Sequence, residues 1–182
     1  MRILLSLFSI LFLANCTFAQ TSRYDDVLWR DFNAGFVVDI FQDCPTFEFK
    51  TIDGEELDTD IFSGQVLILQ FVASWCPYSE DQMKSINDIA SKWTNKVNVL
   101  SVSEDDEKGQ AVFLDQISKT GFPFYFTIDN NERIFKLFAQ SHSTLPRVII
   151  VNRGGKIIGL FDEHTRRTKR IMKRIVRKAV WG

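Results

Sequence analysis

The segment Trp75-Cys76-Pro77-Tyr78-Ser79 places one thiol and, three residues later, one hydroxyl at the start of a predicted helix. A Cys-X-X-Cys pair so placed attacks a substrate disulfide with its first thiolate. It then clears the mixed disulfide with its second thiol. Ser79 has no sulfur for that second step. Its hydroxyl is able to donate a hydrogen bond to a Cys76 thiolate. The positive end of the helix dipole and the unpaired N–H groups there favour the thiolate, while Glu80 and Asp81 in the first turn oppose it. Two readings of Cys76 follow, a single-thiol nucleophile and an inert relic of a dithiol.

The neighbouring pattern supplies the elements that would hold this thiol. Val66 to Val72 is a nearly continuous apolar run, as in a strand buried on both faces. It leads straight into Trp75. Met83, Ile86, Ala90 and Trp93 then recur at helical spacing. Upstream, a short helix is expected around Asp26 to Phe32, a strand at Phe47 to Lys50, a turn at Asp53-Gly54, and a helical turn from Asp58 to Phe62 stopped by Gly64. Downstream come a strand at Val97 to Val102, a helix from Lys108 to Lys119 ending before Gly121, a strand at Phe124 to Ile128, and a short helix at Glu132 to Phe138. A hairpin follows, with strands at Val148 to Val151 and Lys156 to Phe161. Alternating β and α units of this kind imply an α/β fold with a central mixed sheet and helices on both faces.

Residues 1–19 combine Arg2, an apolar core from Ile3 to Leu13, and Thr17-Phe18-Ala19 before Gln20. They read as a secretory signal peptide cleaved after Ala19, which predicts a secreted or periplasmic protein. The competing reading, a lipoprotein anchored at Cys16, meets a poor fit at Asn15. Residues 20–43 then form a lead-in packed on a single domain at 44–182, about 163 residues in all after cleavage, enough for one sizeable core. With Cys16 removed, only Cys44 and Cys76 remain, too few for a disulfide scaffold. Two histidines without clustered cysteines argue against a structural zinc site, and no cofactor is expected. The net charge of −1 conceals an asymmetry, because Arg166 to Lys178 holds eight of the 22 basic residues and none of the 23 acidic ones. Ile171, Met172, Ile175, Val176, Ala179 and Val180 recur there at helical spacing. The segment reads as a last helix docked on the sheet with a solvated basic face, or as one that meets an anionic membrane surface or an acidic partner. Nucleic acid is excluded by the expected compartment, and the oligomeric state is not legible.

From Cys44 to Trp181 the chain resembles the thioredoxin superfamily, in particular its TlpA-like (redoxin) branch of thiol–disulfide oxidoreductases. The resemblance rests on Cys44-Pro45-Thr46-Phe47, Asp53-Gly54, Phe71-Val72-Ala73-Ser74-Trp75-Cys76-Pro77, Leu145-Pro146 and Asn152-Arg153-Gly154-Gly155-Lys156. It implies a thioredoxin-like fold in which Pro146 is cis and lies beside the nucleophile, while the peptide at Leu145 offers groups to an extended substrate. It implies Cys76, Ser79 and Pro146 as the catalytic set, with Trp75, Pro77, Tyr78 and Leu145 forming a substrate groove. The chain departs from the family at Ser79, at Gln82 in place of a common glutamate, and at Lys84 in place of a helix-kinking proline.

Three further residues are candidates. His142, four residues before Pro146, is placed to act in proton transfer. Arg147 either offsets a thiolate charge or stands as a strand-edge surface arginine. Cys44 either resolves a mixed disulfide, which needs a Cα separation of about 4.4–6.8 Å from Cys76, or fills apolar space. Three functions stay open. The first is single-thiol exchange with protein or small thiols and disulfides, resolved by an external or substrate thiol. The second is a non-catalytic module that holds client proteins. The last is a thiol peroxidase, which the resemblance disfavours because Ala73 stands where such sites carry threonine.

Overall fold

The computed structural model describes residues 29–30, 35–141 and 144–182, with the backbone alone at 29–30. The leader at 1–19, with Cys16, and His142 lie outside the described residues. Strands β1 (Trp29–Arg30), β2 (Glu48–Lys50), β3 (Glu56–Asp58) and β4 (Val66–Val72) precede helix α1 (Ser79–Ala90). They are followed by β5 (Val97–Ser103), α2 (Glu107–Ser118), β6 (Tyr125–Ile128), β7 (Arg147–Val151), β8 (Ile157–Phe161) and α3 (Arg166–Trp181).

A mixed sheet runs in the order β1-β8-β7-β4-β5-β6, and β2 and β3 form a separate hairpin. Strands β4, β5 and β6 are parallel, while β7 runs antiparallel to both β4 and β8. All seven residues of β4 are buried, as its unbroken apolar pattern predicts for a central strand. Leu67, Leu69 and Phe71 point into a layer with Phe47, Phe49, Phe62, Phe135 and Phe138. Val66 and Ile68 point the other way, onto Ile86 and Ile89 of α1 and Met172, Ile175 and Val176 of α3. Helix α2 packs through Phe113 and Ile117 against Val72, Met83 and Phe126. Helical segments thus cover both faces, with α-helices on one and the short 3-10 turns Thr59–Phe62 and Phe135–Leu137 on the other.

Two local expectations are corrected. Trp29–Arg30 is a strand, paired in parallel with Gly159 and Leu160, where a helix was expected. An edge place beside β8 overrides a weak local pattern. The expected helix at 132–138 is instead two 3-10 turns, Asn130–Glu132 and Phe135–Leu137. Asn131 and Glu132 adopt φ of 64° and 57°, which interrupts a helix. The Asp129 carboxylate then restarts the chain by accepting the N–H groups of Ile134 at 2.8 Å and Phe135 at 2.7 Å. No helix among the described residues is long and apolar enough to cross a membrane.

Candidate active site

Cys76 sits in the turn that joins β4 to α1. Its N–H donates to Ala73 O at 3.1 Å, and its carbonyl accepts the Ser79 N–H at 3.1 Å. The helix begins at Ser79, with Tyr78 as a cap that contributes no side-chain bond. Cys76 therefore lies just ahead of the first helical turn. It is 7% exposed, and its Sγ donates to the Leu145 carbonyl at 3.5 Å. The Leu145–Pro146 peptide is cis. The chain thus joins two segments 69 residues apart around one sulfur, with Pro146 buried and Leu145 half-buried. Trp75 and Tyr78, exposed by 67% and 59%, and the exposed Pro77 flank the sulfur along the chain.

Ser79 does not take the part expected of it. It is buried, and its Oγ accepts the Ala73 N–H at 3.1 Å. Among the described residues it makes no hydrogen bond to the Cys76 sulfur. The hydroxyl instead ties the end of β4 to the start of α1 and so fixes the turn that carries the thiol.

A second clamp on this turn comes from the segment that follows β5. Asp105 is 3% exposed. Its carboxylate accepts the Ser74 N–H at 2.9 Å, the Ser74 hydroxyl at 2.5 Å and the Ser103 hydroxyl at 2.7 Å. Asp106 caps α2 by accepting the N–H groups of Lys108 at 3.1 Å and Gly109 at 2.8 Å. Gly109 must be small, since a Cβ there would lie 2.5 Å from Asp105 Oδ1. The acidic run at 104–107 carries no local sign of this role. The placement of Asp105 opposite Ser74 depends on the β4–β5 register, which local pattern does not contain.

Arg147 is not a surface residue. It is 1% exposed. Its Nε donates to Thr144 O at 2.9 Å, and its guanidinium lies 4.6 Å from the Phe36 ring centroid. Nη1 is buried without a hydrogen-bond partner among the described residues. Burial lowers the pKa of the guanidinium, and Asp162 acts in the opposite direction. By holding Thr144, Arg147 supports the strand entry that presents Leu145 to Cys76.

Cys44 is remote. Its N–H donates to Gly155 O at 2.8 Å, in the β7–β8 turn. That turn follows Val151, which pairs with Leu67 at the beginning of β4, whereas Cys76 follows the end of the same strand. Seven residues of strand span roughly 23 Å, so a direct Cys44–Cys76 bond is out of reach. Both thiols are free. Burial pushes the Cys44 thiol up to about 12 and keeps it protonated. Cys44 packs against the Phe-rich layer as apolar filler.

Gln82, noted in the sequence only as a departure from the family, and Glu104 are polar groups near the site to which the sequence assigned no partner. Gln82 is buried, and its Oε1 lies 2.7 Å from His164 Nδ1 while its Nε2 donates to Met172 Sδ at 3.9 Å. Burial lowers the His164 pKa, Asp81 raises it and Lys169 lowers it further. Glu104, whose N–H donates to Val72 O at 2.9 Å, directly follows β5. Its pKa is pushed up to about 9 by burial and by the carboxylates of Asp129, Glu132 and Asp105. No cluster of three or more His, Cys, Asp or Glu side chains suited to a metal occurs among the described residues.

The AhpC/TSA family profile matches residues 40–159. "Thiol-disulfide oxidoreductase ResA" of Bacillus thuringiensis (strain Al Hakam) is 23% identical over 119 residues, 65% of this chain and 67% of that protein. Among solved structures, a "putative protein disulfide isomerase" from Bacteroides thetaiotaomicron superposes with a TM-score of 0.74 at 23% identity, covering 82% of this chain and 94% of that one. A "putative Thiol:disulfide interchange protein DsbE" from Chlorobium tepidum gives 0.67 at 19% identity, covering 79% and 99%. The profile spans the Cys76 turn, the Leu145–Pro146 peptide and the strands that bring them together, and so the chain belongs to the AhpC/TSA family and has a thioredoxin-like fold.

Proposed function

We propose that the chain is a secreted or periplasmic thiol–disulfide exchange protein that works with one thiol. The Cys76 thiolate attacks a substrate disulfide, forming a Cys76–substrate disulfide and expelling the other substrate sulfur as a thiolate. A second substrate thiol, or a small external thiol, attacks that mixed disulfide as its thiolate and releases Cys76. The protein ends each cycle at its starting oxidation state, so the mechanism suits isomerisation or deglutathionylation. The observation that carries this reading is the isolation of the sulfur. Cys76 Sγ touches the Leu145 carbonyl, Ser79 is committed to Ala73, and Cys44 lies beyond the far end of β4. Exposed Trp75 and Tyr78 offer apolar area beside the thiol to an extended polypeptide. Relatives named as thiol–disulfide oxidoreductases support the same chemistry.

The test uses Cys44→Ala as background and glutathione disulfide as the probe. Cys76 takes up one glutathione, no intramolecular disulfide forms, and insulin is not reduced unless a small thiol is supplied. Ser79→Cys supplies the missing sulfur and raises insulin reduction by at least about tenfold. A Cys76 that stays unmodified by glutathione disulfide sinks the proposal. The 7% exposure of Cys76 beside two exposed aromatics favours one rival, a noncovalent client holder. Client capture that persists undiminished in Cys76→Ala would establish that rival.

A further inference from the structure

The outer face of α3 carries a charge pattern that neither the fold nor the Cys76 site uses. Arg166, Arg170, Lys173, Arg174, Arg177 and Lys178 are exposed, and among the described residues none has an acidic partner. Lys169 is paired with Asp88 of α1 at 2.8 Å. At 3.6 residues per turn the exposed positions fall on one arc of roughly 140°. The opposite arc buries Met172, Ile175, Val176, Ala179 and Val180 in the core.

This pattern works against the helix that bears it. Arg166–Arg170, Arg170–Arg174, Lys173–Arg177 and Arg174–Lys178 are like-charge pairs at i,i+4, each mildly destabilising. The first turn contains no acidic residue, although the helix dipole favours acids there and disfavours Arg166 and Arg167. Trp181 falls on the same arc at the C-terminal end, 70% exposed, with Lys96 Nζ 4.0 Å from its ring. An indole left exposed amid cations suits the boundary between lipid headgroups and acyl chains. The clefts lined by Glu48 and Arg133, by Cys44 and Gly155, and by Thr51 and Phe126 include no α3 residue. None of these three clefts offers the cations of the arc a pocket that would select a peptide side chain.

We propose that this face of α3 docks the protein on an anionic phospholipid surface. Headgroup phosphates neutralise the cations of the arc and Trp181 settles at the interface, while the apolar face of α3 stays in the core. The helix lies on the bilayer and does not enter it.

The test is sedimentation of the full chain with vesicles of phosphatidylcholine containing phosphatidylglycerol, against vesicles of phosphatidylcholine alone. The comparison variant combines Arg170→Gln, Lys173→Gln, Arg174→Gln and Arg177→Gln, which keeps helix propensity nearly constant and leaves residues 1–165 identical. The parent binds the anionic vesicles and not the neutral ones. The variant binds at least about 100-fold more weakly, with the same Cys76 alkylation rate. Independently of any variant, parent binding falls away at about 0.5 M salt, where the Debye length is a few Å. Equal partition of the parent into both vesicle types, equal binding by parent and variant, or salt-insensitive binding overturns the proposal. So does binding of soluble poly-glutamate without binding of vesicles, which would assign the face to an acidic protein.

Discussion

Ser79 is 3% exposed, and its Oγ accepts the Ala73 N–H at 3.1 Å. The hydroxyl therefore serves as a strut for the turn that carries Cys76. Arg147 raises a different question at the same scale, because a buried guanidinium with an unpartnered Nη1 incurs a desolvation cost that one bond to Thr144 and one aromatic contact offset only in part. Arg147→Met removes the buried charge with its unpartnered Nη1 and keeps most of the volume. Its unfolding free energy, read from urea titration, stays within about 1 kcal/mol of the parent. The rate of glutathione uptake by Cys76 falls, since Thr144 O loses its donor beside Leu145. A stability loss above about 3 kcal/mol would instead show a well-compensated charge.

Among the elements, the β4–β5 pair sets the site. In-register pairing of Val72 with Ser103 brings the two strand ends level, and Asp105 then binds the Ser74 backbone and hydroxyl across the gap. Helix α2 approaches closely enough that only hydrogen fits at Gly109. Gly→Ala within a helix ordinarily gains about 1 kcal/mol. At position 109 the added methyl must displace the Asp105 carboxylate and break bonds to Ser74 and Ser103. Gly109→Ala is therefore expected to lose about 1–3 kcal/mol in chemical denaturation. An increase in stability would show that Asp105 is not held where the structure places it.

For the whole molecule, the C-terminal ends of β5 and β6 bring Glu104 and Asp129 together, with Glu132 and Asp105 beside them. Burial and these neighbours raise the Glu104 pKa from 4.5 to about 9. The folded state therefore holds a proton that the unfolded chain has released across that window. Stability is full below about pH 4.5, falls as pH rises toward about 9, and is flat above, as far as this group is concerned. Glu104→Gln removes the dependence. At pH 8 the variant is more stable than the parent by an amount on the order of a few kcal/mol, and at pH 4 the difference shrinks. Thermal denaturation of both proteins across this range decides the matter, and parallel profiles would refute the assignment.

The sequence by itself determined what is written in periodicity and in single residue types. The apolar run of β4, the helical spacing of Met83, Ile86 and Ala90, the β7–β8 hairpin and the place of Cys76 just ahead of a helix were all legible, because each depends on nearby residues. Tertiary structure decided which distant groups meet. It gave Ser79 to Ala73, buried Arg147 under Phe36, set Asp105 against Ser74, separated Cys44 from Cys76 by the length of a strand, and made Trp29–Arg30 an edge strand. These outcomes depend on strand order and register, which are fixed by burial of the whole sheet and are not encoded in any local window.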